Sequence, residues 1–290
     1  MRLGAYMSTI NSAFVTGGTG NIGSAIVQEL LAHKYQVKVL CKDEDSAGKV
    51  THMGATPVLG SLTKPQAWVN ELCECGVFIH TACTFDEHMA DVDHAVMQAI
   101  ANNALQRINP LIVVYTAGCW TYGSHDDVIT ESTPKQSVAD FQWMLDSIEF
   151  LSGRENIDLR VVSPANVVSE EEHFLPPILS WELERCGHPA LPKDETQTWS
   201  LVERKNLAQL YRLVAENGRN GEEYIGSAEH RAPLKDILQK LSDQRLECGL
   251  ESQWAEVYGT WTEGYSLTQV FSSDKAIREL GWQPKTFLSQ

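Results

Sequence analysis

The chain has 290 residues, 43% of them hydrophobic and 21% charged, which suits a protein with a buried core and excludes a disordered or fibrous one. Its formal charge of -15 repels phosphate backbones and anionic lipid at long range, so nucleic acid is excluded as a partner class. No apolar run approaches the ~18 residues that span a bilayer, and the opening MRLGAYMSTINS lacks the apolar stretch of a secretory signal.

In chain order, residues 1–12 read as a flexible N-terminus. A short β-prone run at 13–16 leads into Gly17-Gly18-Thr19-Gly20-Asn21-Ile22-Gly23, then into a helical pattern over 24–33 with Ile26, Val27, Leu30 and Leu31 on one side. Val/Leu-rich strands follow at 36–41, 56–59 and 77–81. The apolar spacing of Val92, Val96, Ala99, Ile100 and Leu105 predicts a helix over 86–108, and 111–115 is a wholly apolar strand. A second long helix is expected over 137–152, a strand at 159–162, then irregular, proline-broken chain before helices at 203–216 and 234–241. Alternating strands and helices predict an α/β fold, a doubly wound parallel sheet, with a smaller C-terminal substrate lobe. The dinucleotide-binding region is expected over 13–165 and the lobe over most of 166–290, some segments returning to the first body.

A glycine run between a buried strand and a helix has a mechanical purpose. Gly17 allows the tight turn, Gly20 lets backbone approach a pyrophosphate, and Gly23 lets the helix pack closely, with the anion at the helix N-terminus. The strand before, the helix after and a further strand ending about 20 residues on agree with a dinucleotide site. At the tip of the second strand Cys41-Lys42 offers a cation where an NAD site places a carboxylate, so NADP(H) is favoured over NAD(H). Asp43, one residue on, keeps the NAD alternative open. The site is completed by Thr19, Asn21 and Ile22 in the loop, and by Ser61, Leu62, Thr81, Ala82 and Thr116 at the strand ends.

The TGGTGNIG run, the VFIHTA and VVYTAGCWTYG strands and the terminal SSDKAIRELGWQP together resemble the extended or atypical short-chain dehydrogenase/reductases of the NAD-dependent epimerase/dehydratase family. The likeness covers nearly the whole chain except 170–197. It implies a Rossmann fold, a C-terminal lobe that holds substrate, and a homodimer through helices 86–108 and 137–152.

The family's Tyr and Lys, spaced YxxxK on the second long helix, are missing. Phe141 and Leu145 stand in their places, no Tyr occurs between Tyr122 and Tyr211, and no Lys between Lys135 and Lys193. Phenylalanine has no exchangeable proton, so the standard tyrosine-dependent mechanism is excluded. The remaining polar groups near the ends of the fourth and fifth strands are Thr116, Cys119, Thr121, Tyr122, Cys83 and His125. Tyr122 and Thr116 are the catalytic candidates. Tyr122 reads better as pocket wall, and Cys119 as an apolar filler.

Cys83, Trp120, Phe141 and Trp143 are the expected substrate pocket, and their apolar character favours a small apolar ligand over a nucleotide sugar. His88, Asp91 and His94 have helical spacing for a metal, but charges at a helix start more often form a solvated turn, so no metal site is expected. His80 reads as a satisfied buried histidine, and 272–282 as a capped short helix of structural purpose. Seven scattered cysteines without a CxxC pair point to reduced thiols and a cytoplasmic protein. The function expected is a noncanonical oxidoreductase, epimerase or dehydratase. The alternative is a catalytically silent NADP(H) sensor or scaffold.

Overall fold

The computed structural model describes residues 11–169, 181, 184–185, 190–191, 198–234, 236, 247–248 and 251–286. Strand β1 (Ser12–Thr16) is buried throughout and passes through the glycine turn into α1 (Asn21–Ala32), which buries Ala25, Ile26, Val27 and Leu30. There follow β2 (Gln36–Cys41), α2 (Glu44–Met53), β3 (Thr56–Leu59), β4 (Val77–His80), α3 (Met89–Ala104), β5 (Leu111–Thr116), α4 (Gln142–Leu151) and β6 (Ile157–Pro164).

Helix α2 is absent from the sequence reading because its apolar stripe is thin, with only Ser46, Ala47 and Val50 buried. Its caps hold it instead. The Ser46 amide donates to Asp43 Oδ1 at 2.8 Å, the Asp43 amide donates to Ser46 Oγ at 3.2 Å, and Gly54 stops the helix in a left-handed conformation. Helix α3 is shorter than the expected 86–108, and α4 is preceded by a 3-10 turn at Ala139–Phe141.

Beyond β7 (Asn166–Val168) come β8 (Thr198–Glu203), α5 (Arg204–Asn217), β9 (Glu222–Gly226), β10 (Glu229–Pro233), α6 (Glu251–Tyr258) and α7 (Asp274–Leu280). The helix expected at 234–241 falls mostly outside the described residues, and residues 1–10 lie wholly outside them. The main sheet has the order β9-β6-β5-β4-β1-β2-β3, and every pairing from β6 to β3 is parallel. The chain leaves β1 toward β2 and β3, then returns to β4 on the other side. The carboxyl ends of β1 and β4 therefore flank the topological switch point, where ligands bind in doubly wound sheets.

Contacts divide the chain into two compact units. The first comprises Met1–Ala117, Trp143–Val162 and Leu207–Glu223; the second comprises Gly118–Gln142, Ser163–Asn206 and Tyr224–Gln290. Residues 118–142 lie with the second unit, on the N-terminal side of 165, and 207–223 lie with the first.

The first unit's core stacks Phe14 on Trp68 with ring centroids 5.4 Å apart, and adds Phe78, Val96, Ile100, Leu111 and Val113, all fully buried. The apolar runs Ala13-Phe14-Val15, Val77-Phe78-Ile79 and Leu111-Ile112-Val113-Val114 in β1, β4 and β5 follow from a sheet covered on both faces. In the second unit β8 pairs parallel with β7 and antiparallel with β10, over a core of Val168, Trp199, Leu201, Trp254 and Tyr265. Among the described residues no helix is long and apolar enough to cross a membrane.

Candidate functional site

Between β1 and α1 the chain turns on Gly17, whose φ of +74° only glycine adopts without strain. A side chain is also excluded by space. A Cβ on Gly17 would lie 2.8 Å from Thr81 Oγ1 and 2.9 Å from the Ala82 amide nitrogen, and one on Gly23 would lie 2.1 Å from the Gly17 carbonyl oxygen. Thr81 is fixed there because its hydroxyl donates to the Thr16 carbonyl at 2.8 Å. Thus Gly17, Gly23, Thr81 and Ala82, all expected in the dinucleotide site, meet at the switch point. Gly20 is the helix N-cap without a side-chain cap, and the first turn of α1 carries no acid, so its amide end suits a pyrophosphate. Thr19 and Ser24 line a groove of about 650 Å³ together with Glu44, Gly48, Lys49 and His52 of α2.

Lys42 follows the last residue of β2 and is exposed. The carboxylate beside it is engaged, because Asp43 Oδ1 accepts from both the amide (2.8 Å) and the hydroxyl (2.7 Å) of Ser46. Those hydrogen bonds hold the Asp43 carboxyl below its ordinary value.

At the end of β4 a buried polar network joins five elements. Asp93 of α3 accepts from His80 Nε2 (2.9 Å), the Tyr115 hydroxyl (3.1 Å) and the Ser147 hydroxyl (2.5 Å). His80 Nδ1 is then left to accept from the Thr16 hydroxyl at 2.7 Å, the tautomer that satisfies every atom. Burial, with Asp93 beside it, pushes the Tyr115 phenol well up. His80 is thus a satisfied core histidine, as its sequence context indicated. The sequence reading missed Asp93 and Ser147, because polar residues on long helices read as solvent-facing.

Leu62, Ala82, Cys83 and Trp143 come together beside this network around a cavity of about 10 Å³, too small for a substrate. Ser61 is tied locally, its hydroxyl 2.8 Å from Thr63 Oγ1 and its carbonyl accepting from Trp68 Nε1 at 2.9 Å. Thr116, half-buried at the end of β5, has its hydroxyl 2.6 Å from the hydroxyl of the fully buried Tyr211. This partner, 95 residues away in sequence, had no local signal.

In the second unit Tyr122 is fully buried, with its ring against Phe271 at 5.6 Å and Lys135 Nζ 3.3 Å above its centroid. That environment closes the Tyr122 side chain to solvent. Trp120 and Phe141 do meet, edge to face at 5.2 Å, and Trp120 also contacts Tyr265 at 4.7 Å. His125 Nε2 is tied to the Tyr122 carbonyl at 2.9 Å, and the Thr121 hydroxyl donates to the Gly118 carbonyl at 2.7 Å. Among the described residues no three of His, Cys, Asp and Glu gather as metal ligands; His94 packs edge-on against Phe150 instead.

Burial pushes the thiols of Cys83 and Cys75 up to about 11 and that of Cys119 up to about 12, so none supplies a thiolate near neutral pH. These folded-state values exceed the ordinary 9.0, so the folded chain retains protons that the unfolded chain loses. The contribution of the buried Cys119 thiol is therefore fully present below pH 9.0 and is lost as pH rises toward about 12. Urea midpoints measured upward from about pH 8 should fall, each thiol contributing at most about 1.4 kcal/mol per pH unit. Cys119→Ala should make the slope shallower, and an unchanged slope would remove the burial argument.

The family described as NAD(P)H-binding matches residues 17–173. An uncharacterised protein of Schizosaccharomyces pombe is 28% identical over 281 residues, covering 93% of this chain and 94% of its own. The bifunctional dihydroflavonol 4-reductase/flavanone 4-reductase of Malus domestica is 22% identical, over 96% of this chain and 87% of its own. Among solved structures, the dTDP-glucose 4,6-dehydratase DesIV of Streptomyces venezuelae, with NAD and TYD bound, is similar at a TM-score of 0.78 and 20% identity, covering 96% of this chain and 93% of its own. The last two likenesses speak for the fold, while the family match runs through the glycine loop and the ends of β4 and β5. The chain therefore belongs to the NAD(P)H-binding family and shares the Rossmann fold of the dehydratase structure.

Proposed function

We propose that the protein is an NADP(H)-dependent oxidoreductase that acts on a small apolar carbonyl or alcohol without the Tyr-Lys pair. The carrying observation is the β1–β4 cradle, where Thr81 and Ala82 close on Gly17 and leave no room for a Cβ at Gly17 or Gly23. Gly17, Thr19, Gly20, Asn21, Ile22 and Gly23 would hold the pyrophosphate, with Ser61, Leu62, Thr81 and Ala82 at the strand ends. Bound NADPH would supply a hydride to a carbonyl carbon, and the carbonyl oxygen would take its proton from the Thr116 hydroxyl, which regains one from solvent.

This chain's own contribution is a hydroxyl at the end of β5. Tyr211 and Thr116 share a hydrogen bond of 2.6 Å; with Tyr211 donating, the Thr116 hydroxyl hydrogen is directed outward to a carbonyl oxygen. Tyr122, closed to solvent, serves as wall. Cys83 and Trp143 supply apolar surface for the ligand.

Preference for NADP(H) rests on Lys42, exposed at the β2 tip, and on Asp43, whose carboxylate caps α2. Tryptophan quenching and energy transfer on titration with NADPH and NADH test both points. Lys42→Glu should lower the NADPH:NADH affinity ratio about tenfold or more, the loss of one charge-assisted phosphate contact. An unchanged ratio would assign the 2′-phosphate to other residues, and failure to bind either nucleotide would overturn the reading.

The family's homodimer would use α3 and α4, where Met144, Leu145, Ile148 and Phe150 are only partly buried in the single chain. A cytoplasmic location is supported by free thiols at Cys41, Cys73, Cys75, Cys83 and Cys119. A catalytically silent sensor or scaffold, the alternative prompted by the missing Tyr and Lys, gains no specific observation.

A further inference from the structure

Segment 81–88 leaves the sheet at the β1–β4 switch point, and the dinucleotide reading uses only its first two residues. Three residues beyond Ala82, Phe85 is 81% exposed and has a φ of +53°. Both properties are unfavourable, since left-handed backbone is strained for a bulky side chain and an exposed phenyl ring forgoes burial. The turn is nevertheless pinned. The Thr84 hydroxyl and the His88 amide both donate to Asp86 Oδ1, each at 2.9 Å.

The surroundings define the chemistry of what the ring meets. In a doubly wound dinucleotide site the adenosine half lies toward the end of β2, so the β4 side receives the nicotinamide half and the substrate. No lysine or arginine occurs between Lys64 and Arg107, while Asp86, Glu87 and Asp91 are exposed, so segment 83–91 offers a substrate diphosphate no cationic partner. Beside the turn, Cys83 Sγ lies 4.0 Å from Met89 Sδ, next to Leu62, Val92 and Trp143, an apolar and polarisable wall.

We infer that Phe85 is a specificity-determining residue whose exposed ring stacks on a flat, uncharged aryl ketone or aldehyde, and that nucleotide sugars are not substrates. This rests on the NADP(H)-dependent reading above. Offset stacking on a fixed ring rewards a planar partner over a puckered one of equal size.

The test is calorimetric titration of the NADP-saturated protein with acetophenone, 2-acetylnaphthalene, methyl cyclohexyl ketone and UDP-glucose. Acetophenone should bind at least about fivefold more tightly than methyl cyclohexyl ketone, which has the same carbon count, 2-acetylnaphthalene more tightly still, and UDP-glucose should give no heat. Phe85→Asn should abolish the difference while leaving NADP affinity unchanged, because asparagine tolerates the left-handed backbone and the lost ring leaves no buried cavity. Phe85→Trp should retain it.

Equal binding of the flat and puckered ketones, a preference that survives Phe85→Asn, or binding of UDP-glucose each overturns the inference. NADPH oxidation is followed separately. An aryl preference in binding without turnover keeps the inference and removes the oxidoreductase reading, whereas turnover without aryl preference does the reverse. If NADP does not bind, the same titration on the unliganded chain still decides the role of Phe85.

Discussion

Gly23→Ala is expected to weaken NADPH binding by about a hundredfold or more and to lower stability by about 1–3 kcal/mol, the usual effect of overpacking a filled site. The added methyl would sit 2.1 Å from the Gly17 carbonyl oxygen, 2.7 Å from its carbon and 2.9 Å from Thr81 Oγ1. Two of these are backbone atoms and cannot rotate away. The turn must open, which displaces the amide end of α1 and strains the Thr81 hydrogen bond to the Thr16 carbonyl. Gly48→Ala is the control for stability alone, since Gly48 lines the groove beside Thr19 and Ser24. It lies in α2, a Cβ there meets nothing within 4 Å, and alanine should stabilise the helix by about 0.5–1 kcal/mol. Nucleotide titration of Gly23→Ala and urea denaturation of both variants check the pair. Wild-type NADPH affinity in Gly23→Ala would overturn the cradle.

Asp93→Ala should cost about 3–5 kcal/mol, the loss expected when one partner of a buried charged network is removed. His80, Tyr115 and Ser147 would lose their common acceptor, and Asp93 and His80 are only 4% and 3% exposed, so water does not readily replace it. Asp93→Asn should cost about half as much. Its carbonyl can accept from the two hydroxyls while its amide donates to His80 Nε2, provided that His80 moves its hydrogen to Nδ1 and donates to Thr16. Urea unfolding measures both costs, and the His80 ring nitrogen shifts in a nitrogen-15 spectrum report the tautomer. Equal destabilisation by Ala and Asn would mean that the carboxylate charge, rather than the acceptor geometry, holds the network.

The outline of the fold is legible in local pattern. The run Gly17 to Gly23 between a buried strand and an amphipathic helix announces the nucleotide turn because its function depends on backbone freedom within a few residues. Strands β1, β2, β4 and β5 are visible as short Val/Ile/Leu runs because a parallel sheet buries both faces. Helix α2 escaped this reading because its capping box carries it rather than an apolar stripe. Thr116 was visible as a strand-end hydroxyl, but its engagement with Tyr211 was not.

The sequence by itself determined the parallel α/β class, the dinucleotide turn and the absence of a YxxxK pair, since each depends on residue type and short-range spacing. The tertiary structure alone decided which polar groups meet. Asp93 reaches His80 across 13 residues, Tyr115 across 22 and Ser147 across 54, and Thr116 reaches Tyr211 across 95. It also committed Asp43 to a helix cap, closed Tyr122 to solvent and placed 118–142 with the second unit. These outcomes depend on strand order, register and helix rotation, which are settled by packing the whole chain and leave no signature in any single segment.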